Sequence, residues 1–390
     1  MRAVEIFAGA GGLALGVSQA GFSHDAVIEV DRHACATIKA NQVQKIRPVI
    51  DWPLFEQDVS RFDFSTIQEG LDLLCGGPPC QPFSLAGKSL GHSDARNMFP
   101  ATVSVVRQLR PRAFLFENVK GLLRRRLSTY LEYVRLQLSY LDIRQGNGER
   151  WEDHLARLER HHTKGAGEEV YRVLVRAINA ADYGVPQRRE RVFIVGIRSD
   201  LGVEWSFPEP THSQDELLFS KYITADYWER HEISKKSRPT ISLTLRRKIE
   251  ELKHEIQSER KREWLTVRDA LKDLPRPERT VSSPPIANHT FIPGARMYVG
   301  HTGSVMDEPA KTLKAGDHGV PGGENMLLHP NGKVRYFTVR ECARLQTFPD
   351  EYEFPGPWSA TTRQLGNAVP VLLALVIAGS VKTRLSSVRT

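Results

Sequence analysis

The 390-residue chain has few cysteines and none of the segments that mark membrane or exported proteins. Its four cysteines, Cys35, Cys75, Cys80 and Cys342, include no CxxC pair, so we expect neither a zinc ribbon nor a disulfide framework. No run of about 18 apolar residues is evident, which predicts no membrane-spanning helix. The first residues, MRAVEIFAGAGG, lack the apolar core and cleavage site of a signal peptide. The sequence therefore predicts an intracellular protein in a reducing compartment.

Acidic residues are fewer than basic ones. The 46 Asp and Glu stand against 54 Lys and Arg, which gives a net charge of +8 and a pI of about 9.3. Fourteen Lys or Arg and eight Asp or Glu fall within residues 234–279, so most of the positive surplus lies in one stretch. This surplus is compatible with a polyanionic partner, and a basic surface without any partner is the alternative.

Apolar segments indicate alternating strands and helices over the first 200 residues. Strands are predicted at 3–7, 26–30, 71–75, 113–117 and 191–196, and helices at 12–20, 34–41, 99–110, through the 130s and at 171–180. The alternation predicts an α/β fold with a mostly parallel, Rossmann-like sheet. Ligands of such sheets bind at the carboxyl ends of the strands.

Beyond residue 200 this alternation ends. Leu245, Ile249, Leu252 and Ile256 predict a helix with one apolar face, and residues 282–325, rich in Gly, Pro, Asn and His, predict loops. Helices are predicted again at 338–348 and 369–378, and residues 142–168 are predicted to be a polar insertion. We find no internal repeat.

A glycine-rich segment, FAGAGG at 7–12, directly follows the first strand. Glycine allows a tight turn and a close approach of the backbone to a ligand. Glu29, at the end of the second strand, could accept hydrogen bonds from ribose hydroxyls. Gly9, Gly11 and Ala14 also satisfy a looser dinucleotide-binding pattern, so a nicotinamide-dependent dehydrogenase is an alternative on these residues alone.

Three further motifs follow strands. In GGPPCQPFS, residues 76–84, two prolines fix the backbone, so Cys80 is better interpreted as a presented thiolate nucleophile than as a core residue. Glu117, in ENV, is a candidate proton donor. The arginines of QRRER, residues 187–191, suit contacts with anions or base edges, and structural ion pairs are the alternative.

In this order, the motifs resemble those of the cytosine-C5 DNA methyltransferases. FAGAGG resembles that family's cofactor loop, GGPPCQPFS its nucleophile loop, ENV its acid motif and QRRERVFIVG its arginine motif. Residues 340–350, RECARLQTFPD, and 366–371, GNAVPV, resemble its two C-terminal motifs. A hydride-transferring enzyme needs no Pro-Pro-Cys-Gln loop, so the resemblance displaces the dehydrogenase alternative.

The resemblance implies S-adenosylmethionine as cofactor, with S-adenosylhomocysteine as product, and no metal. It assigns to the cofactor Phe7, Ala10, Gly11, Gly12, Leu13, Glu29, Val30, Asp58, Pro79, Asn367 and Ala368. It assigns the chemistry to Cys80 (nucleophile at cytosine C6), Glu117 (acid at N3), Arg189 and Arg191 (holding the base at O2 and organising Cys80 and Glu117), Pro78 and Asn118 (base contacts) and Thr312 (DNA backbone).

The resemblance also implies a division of the chain. Residues 1–197 and 335–390 would form the catalytic domain, and 198–334 a smaller target-recognition region with its connection back. The implied substrate is a cytosine flipped out of double-stranded DNA. The expected setting is the bacterial cytoplasm, with the enzyme monomeric on DNA and no membrane contact, and a restriction endonuclease for the same site would be a further partner.

Two alternatives stay open at this point. One branch of the family carries the same Pro-Pro-Cys-Gln loop and methylates cytosine in transfer RNA, and a catalytically inactive DNA-binding relative would carry much of the same sequence. The long 198–334 region favours a DNA substrate. The intact Cys80, Glu117 and Arg189 favour an active enzyme.

Overall fold

A computed structural model describes residues 1–79, 97–165, 169–254, 261–278, 286–299, 302–316 and 325–388. Two residues singled out above, Cys80 and Ile256, lie outside these ranges.

Seven strands form one sheet in the order β3-β2-β1-β4-β5-β7-β6. Their bounds are β1 Arg2–Ile6, β2 Ser23–Glu29, β3 Leu54–Glu56, β4 Leu73–Gly76, β5 Ala113–Val119, β6 Tyr171–Asn179 and β7 Glu190–Arg198. The pairings from β3 through β5 are parallel, and β7 is antiparallel to both of its neighbours. The predicted α/β class and mostly parallel sheet are confirmed.

Helices cover both faces of this sheet. The first five are α1 Gly12–Gln19, α2 Arg32–Val43, α3 Phe99–Leu109, α4 Ser128–Ser139 and α5 Trp151–Lys164. One apolar core lies between the sheet and α3, α4 and α5, while α1 packs on the opposite face. Helix α5 occupies most of the predicted insertion at 142–168, and Leu155 and Leu158 join that core.

The helix predicted at 171–180 is wrong, because these residues form strand β6. The segment YRVLVRAIN has buried Tyr171 and Val173 alternating with exposed Arg172 and Leu174, which is the period of two of a strand. β6 lies at the edge of the sheet and pairs with β7 alone. Pairing with β7 along its whole length overrides the helical spacing read from the sequence.

The later part of the chain forms small elements and then returns to the sheet. These elements are β8 His212–Ser213, α6 Gln214–Phe219, α7 Asp226–Arg230, α8 Leu243–His254, β9 Arg262–Glu263, α9 Val267–Ala270, β10 Ser304–Val305, β11 Met326–Leu328, β12 Val334–Tyr336, α10 Val339–Leu345, α11 Trp358–Asn367 and α12 Val371–Ser386. Strands β10, β11 and β12 form a second sheet, and α12 packs beside α1 against the large one.

Among the described residues, one helical stretch, Trp358–Ser386, is long and apolar enough to span a membrane. It comprises α11 and α12, and 67% of its most apolar window is buried within the protein. Its buried residues, including Leu373, Ala374 and Ile377, belong to the core that α1 shares. Its apolar character is therefore explained by packing in the core.

The close packing of α1 on α12 depends on Gly16. A Cβ atom at this position would lie 2.6 Å from the carbonyl oxygen of Val371 and 2.6 Å from the amide nitrogen of Leu375. We therefore expect Gly16→Ala to lower the free energy of unfolding by about 1–3 kcal/mol, measured by denaturant titration, because the two helices must separate.

Gly379, on α12, is the matched control. It has open space around its Cβ position, so Gly379→Ala should leave stability unchanged or raise it by up to about 1 kcal/mol. Equal stability of the two variants would show that the α1–α12 contact is looser than described.

Candidate active site

The sequence motifs converge on one edge of the large sheet. β1, β2, β4 and β5 are parallel, so their carboxyl ends meet there, and β7 begins at the same edge because it runs in the opposite direction. The glycine-rich loop, the GGPP turn, Glu117 and the arginine motif therefore lie side by side. Strand polarity brings these motifs together although Gly12, which ends the first, and Gln187, which begins the last, are 175 positions apart in the sequence.

The glycine-rich loop is shaped by contacts with the rest of the protein. A Cβ atom on Gly11, whose φ is +82°, would lie 2.8 Å from the ring of Trp52, and one on Gly12 would lie 2.5 Å from the carbonyl oxygen of Val369. The Tyr352 hydroxyl donates a hydrogen bond of 2.7 Å to the carbonyl of Ala10. Gly9, in contrast, has open space at its Cβ position. Nothing in the sequence indicated the contributions of Trp52 and Tyr352.

Phe7 opens this loop in a conformation that side-chain-bearing residues rarely adopt. Its φ is +57°, and the residue is half-buried. Left-handed backbone at a non-glycine residue costs about 1 kcal/mol or more and is found most often at ligand sites. The predicted cofactor residues Ala10, Gly11, Gly12 and Leu13 follow it and are buried.

Glu29 joins the end of β2 to the glycine loop. One carboxylate oxygen accepts the N–H of Gly9 at 2.6 Å, and the other accepts those of Val30 and Asp31 at 2.8 and 2.7 Å. Burial raises the pKa of Glu29 above its usual value, and these three hydrogen bonds oppose that rise. A carboxylate has about four acceptor positions, so one remains for a further donor.

Other predicted cofactor residues surround this point. Val30 is 61% exposed directly after β2, which leaves an apolar surface uncovered at the ligand edge. Asp58, after β3, accepts the hydroxyl and N–H of Ser60, and these bonds lower its pKa. Asn367 is exposed at the end of α11. The site therefore offers the exposed apolar side chain of Val30, a free acceptor position on the Glu29 carboxylate and open space at Gly9. These features fit a nucleoside that carries an aliphatic chain.

The GGPP turn approaches both β1 and β5. A Cβ atom on Gly76 would overlap the carbonyl of Ile6, so only glycine allows β4 to end here. Pro78 is buried, and its carbonyl accepts a hydrogen bond of 3.0 Å from the Asn118 side chain. Pro79, which directly precedes Cys80 in the sequence, is exposed.

Glu117 and Arg191 form a nearly buried ion pair. Val119 lies opposite Arg191 in the antiparallel pairing of β5 and β7, so Glu117, two residues back, is its diagonal neighbour. The Arg191 Nε atom is 2.8 Å from Glu117 Oε1, and the two side chains are 12% and 9% exposed. Burial raises the pKa of Glu117, while the charges of Arg191 and Arg189 oppose this rise. The other oxygen of Glu117 faces Gly77.

Arg189 lies two residues from Arg191 and has different partners. Its fully buried guanidinium donates to the carbonyls of Leu313 at 3.2 Å, Gly366 at 2.8 Å and Ala368 at 2.9 Å. Leu313 lies in the 198–334 region, and Gly366 and Ala368 lie in the returning C-terminal part of the chain. These hydrogen bonds place Arg189 in the protein interior, and the expectation that it holds the base stays a prediction.

Two glutamines that the sequence analysis did not single out complete this contact. The Gln187 amide group donates to the carbonyl of Leu345 at 3.1 Å and its oxygen accepts the N–H of Leu313 at 2.9 Å. Gln346 donates to the carbonyls of Leu365 and Ala368. Both glutamine side chains are buried in the protein. Each belongs to a motif found in the sequence, and this membership was the only sequence feature that could have indicated their roles.

Thr312 lies where the later part of the chain meets the arginine motif. Its hydroxyl donates a hydrogen bond of 2.7 Å to the carbonyl of Arg188, and Ala310 forms a parallel bridge with Gln187. Glu308, just before this segment, pairs with the buried Lys221. The Lys221 ammonium nitrogen is 3.0 Å from the Glu308 carboxylate and also lies over the ring of Tyr227. Residues 307–313 therefore connect the small elements after residue 200 to the active-site edge.

Comparison with known proteins agrees with this geometry. A family model for the C-5 cytosine-specific DNA methylases matches residues 1–142 and 158–383. The chain is 33% identical over 387 residues to the Type II methyltransferase M.PspPI of Psychrobacter sp. (strain TA137), an alignment that covers 97% of this chain and 78% of that relative. It is also 33% identical over 382 residues to the Type II methyltransferase M.Eco47II of Escherichia coli, with the same coverage of both chains.

A solved structure shows the same fold at lower sequence identity. The crystal structure of a mutant Spodoptera frugiperda DNMT2 aligns with a TM-score of 0.57 at 15% identity, over 98% of this chain and 99% of the other. The gap in the family match, residues 143–157, includes the first half of α5. The insertion predicted at 142–168 therefore overlaps the part of the chain that the family model does not match.

The contacts of Glu29 generate a prediction for cofactor binding. In Glu29→Gln the amide nitrogen cannot accept an N–H, so one side of the glycine loop loses its anchor. A hydrogen bond to a charged group contributes about 1.5–3 kcal/mol, so S-adenosylmethionine affinity measured by calorimetry should fall about 10-fold or more. Glu56→Gln is the control, because Glu56 ends β3 in an exposed ion pair with Lys39. Equal affinities of both variants would contradict the role given to Glu29.

Proposed function

The chain belongs to the C-5 cytosine-specific DNA methylases, and we propose that Cys80, Glu117 and Arg191 carry out its chemistry. The enzyme methylates C5 of cytosine in DNA, with S-adenosylmethionine as methyl donor. The observation that carries the residue assignment is the buried Glu117–Arg191 pair beside the GGPP turn. A carboxyl group and a cation held together at the edge where the nucleophile loop begins are what an attack on a cytosine ring requires.

Cys80 is the nucleophile of this proposal. Its thiolate adds to C6 of the cytosine, which makes C5 electron-rich enough to take the methyl group. Loss of the C5 proton then allows the C6–sulfur bond to break, and Cys80 is regenerated. The exposed Pro79 supports this assignment, because the chain reaches the surface immediately before Cys80. The target base must leave the duplex, which costs a few kcal/mol of stacking and pairing.

Glu117 supplies the proton that balances this addition. Negative charge develops on the ring when the thiolate adds, and a protonated carboxyl at N3 neutralises it. Burial favours the protonated form of Glu117, and Arg191 holds the side chain in place. The Pro78 carbonyl, fixed by Asn118, has a second lone pair that can accept from the exocyclic amine of cytosine.

We assign Arg189 a positioning role instead of a contact with the base. Its donors hold Gly366 and Ala368, and the neighbouring Val369 carbonyl touches Gly12 of the glycine loop. Phe7, Val30 and Asn367 would then face the cofactor's adenosine and methionine parts, and Glu29 would accept from its ribose. We expect no metal in this reaction.

Residues 198–334 form the target-recognition region in this proposal. Within them, residues 234–279 carry fourteen Lys or Arg against eight Asp or Glu, and α8 exposes Arg246, Arg247 and Lys248. Lys and Arg contacts with phosphates position a protein on DNA, whereas contacts with base edges select the sequence. The named relatives are Type II methyltransferases, so a restriction endonuclease for the same DNA site is a proposed partner. The proposed setting is the cytoplasm, with the enzyme acting as a monomer on double-stranded DNA.

The role of Cys80 is tested with a trapped adduct. DNA with 5-fluorocytosine at the target should form a stable covalent complex, because fluorine cannot leave C5 as a proton does. Cys80→Ala should abolish both the complex and methyl transfer while S-adenosylmethionine binding remains. The neighbouring Ser84→Ala should keep all three. Methylation by Cys80→Ala would refute the assignment.

The proposed role of Glu117 as a proton donor predicts a pH dependence. Burial raises the pKa of the Glu117 carboxyl, so its protonated, active form persists to a higher pH than that of an exposed glutamate. Activity is lost as the pH rises through this raised pKa. Arg191 is the largest influence that lowers this pKa, so in Arg191→Met the alkaline limb of the single-turnover rate should move to higher pH. Arg172→Met, an exposed change on β6, should leave the limb in place. A limb that stays fixed or moves to lower pH in Arg191→Met would argue against Glu117 as the acid.

The recognition region predicts a change in salt dependence. Arg247 is exposed on α8, so Arg247→Gln should weaken binding to all duplexes similarly and reduce the slope of log affinity against log salt by about 1. Arg247→Lys retains the charge and should retain the slope. If both variants keep the parent slope in filter-binding titrations, Arg247 makes no phosphate contact.

A further inference from the structure

Three side chains with metal-binding atoms meet within the large sheet, and none of them is among the residues assigned to the active site. Glu5, His24 and Cys75 lie on the adjacent strands β1, β2 and β4, and Glu5 is directly opposite Cys75 in the β1–β4 pairing. Glu5 and Cys75 are fully buried, and His24 is 7% exposed. Their ligand atoms all lie within 4.8 Å of one another.

The distances within this cluster fit a common ion. The Cys75 thiol donates a hydrogen bond to Oε2 of Glu5 at 3.3 Å, and the same oxygen is 3.6 Å from Nε2 of His24. Ligand atoms about 2.0–2.3 Å from one zinc ion have such separations at angles of about 100–120°. A direct hydrogen bond between Glu5 and His24 would need a shorter distance than 3.6 Å.

Two buried atoms of the cluster have no hydrogen-bond partner. These are Nε2 of His24 and Oε1 of Glu5. Unpaired polar atoms in a protein interior are rare, and a bound ion is one of the ordinary explanations for them. Nε2 is directed at the carboxylate, so an ion between them would satisfy His24, and Oε1 is available as a further ligand atom.

The other nitrogen of His24 has the partner that a metal ligand needs. Nδ1 lies 3.1 Å from the hydroxyl of Ser18, which also accepts the Trp52 indole N–H at 3.0 Å. Ser18 can accept from Nδ1 as well, and in that tautomer Nε2 carries the free lone pair. A second hydrogen bond of this kind is found on most metal-binding histidines.

The charges of the cluster also balance around a divalent cation. Among the described residues, His24 is the only basic side chain within ion-pair distance of Glu5. A carboxylate and a thiolate together carry two negative charges, which one divalent cation neutralises. Binding releases the thiol proton of Cys75 to solvent, so no other reactant is required.

We propose that Glu5, His24 and Cys75 form a buried structural site for a divalent, thiophilic metal ion of the zinc class. A thiolate, an imidazole and a carboxylate are the ligand types that zinc takes in proteins. The ion would fix β2, β1 and β4 to one another just before Phe7 and Gly77, where the cofactor and nucleophile loops begin. The proposal does not depend on the catalytic roles given above.

The test measures bound metal directly. The protein is unfolded with a chelator, refolded with Zn²⁺ or Co²⁺, desalted and analysed by mass spectrometry for metal, because a buried site is loaded most readily during folding. We expect about one ion per chain, and for cobalt a near-ultraviolet absorption band from a thiolate–cobalt bond. Refolded protein with native circular dichroism and no bound ion would overturn the proposal.

Matched variants locate the ion. Cys75→Ser and His24→Gln should each reduce the metal content at least about 10-fold, since each removes a ligand. Cys342→Ser changes another buried free cysteine, on α10, and should retain the full content. Full metal content in Cys75→Ser would overturn the assignment. If either ligand variant does not fold, the metal content of the unaltered protein and of the other variant still decides.

Discussion

The buried guanidinium of Arg189 is the constraint on which the rest of the active-site edge depends. A cation removed from water is costly unless its donors are paired, and the two terminal nitrogens of this one donate to the carbonyls of Leu313, Gly366 and Ala368. Those carbonyls belong to segments more than 120 residues away along the chain. The C-terminal part of the protein therefore has to return to the arginine motif. Its return places Val369 against Gly12 and closes the glycine loop.

This arrangement lets one short motif serve two purposes. Arg189 points inward and holds the segments beside the glycine loop, while Arg191 pairs with Glu117 at the edge of the sheet. Gln187, from the same motif, holds Leu313 and Leu345. Methyl donor and target base must meet within bonding distance, and the arginine motif contacts both sides of the proposed site.

The strands at the centre of the sheet could be predicted from sequence, because their apolar runs and following motifs are local features. β6 could not, since the tertiary pairing with β7 decided its conformation. For the site, strand polarity was sufficient to bring Glu117 beside the GGPP turn. The partners of Arg189 and the packing of Trp52 on Gly11 could not be predicted from the sequence. These contacts join residues that are far apart in the chain, and no local pattern connects them. The sequence indicated Glu29 as a candidate cofactor residue, but it did not predict the three backbone N–H groups that donate to its carboxylate.

The affinity of Arg189→Lys for S-adenosylmethionine tests this account most directly. Lysine keeps the positive charge but lacks the planar fork that reaches three carbonyls. The account predicts that cofactor affinity falls together with the methylation rate, by about 10-fold or more, because Gly366 and Ala368 lose their anchor next to the glycine loop. Unchanged cofactor affinity with a loss confined to binding of the target cytosine would contradict it and would return Arg189 to the base.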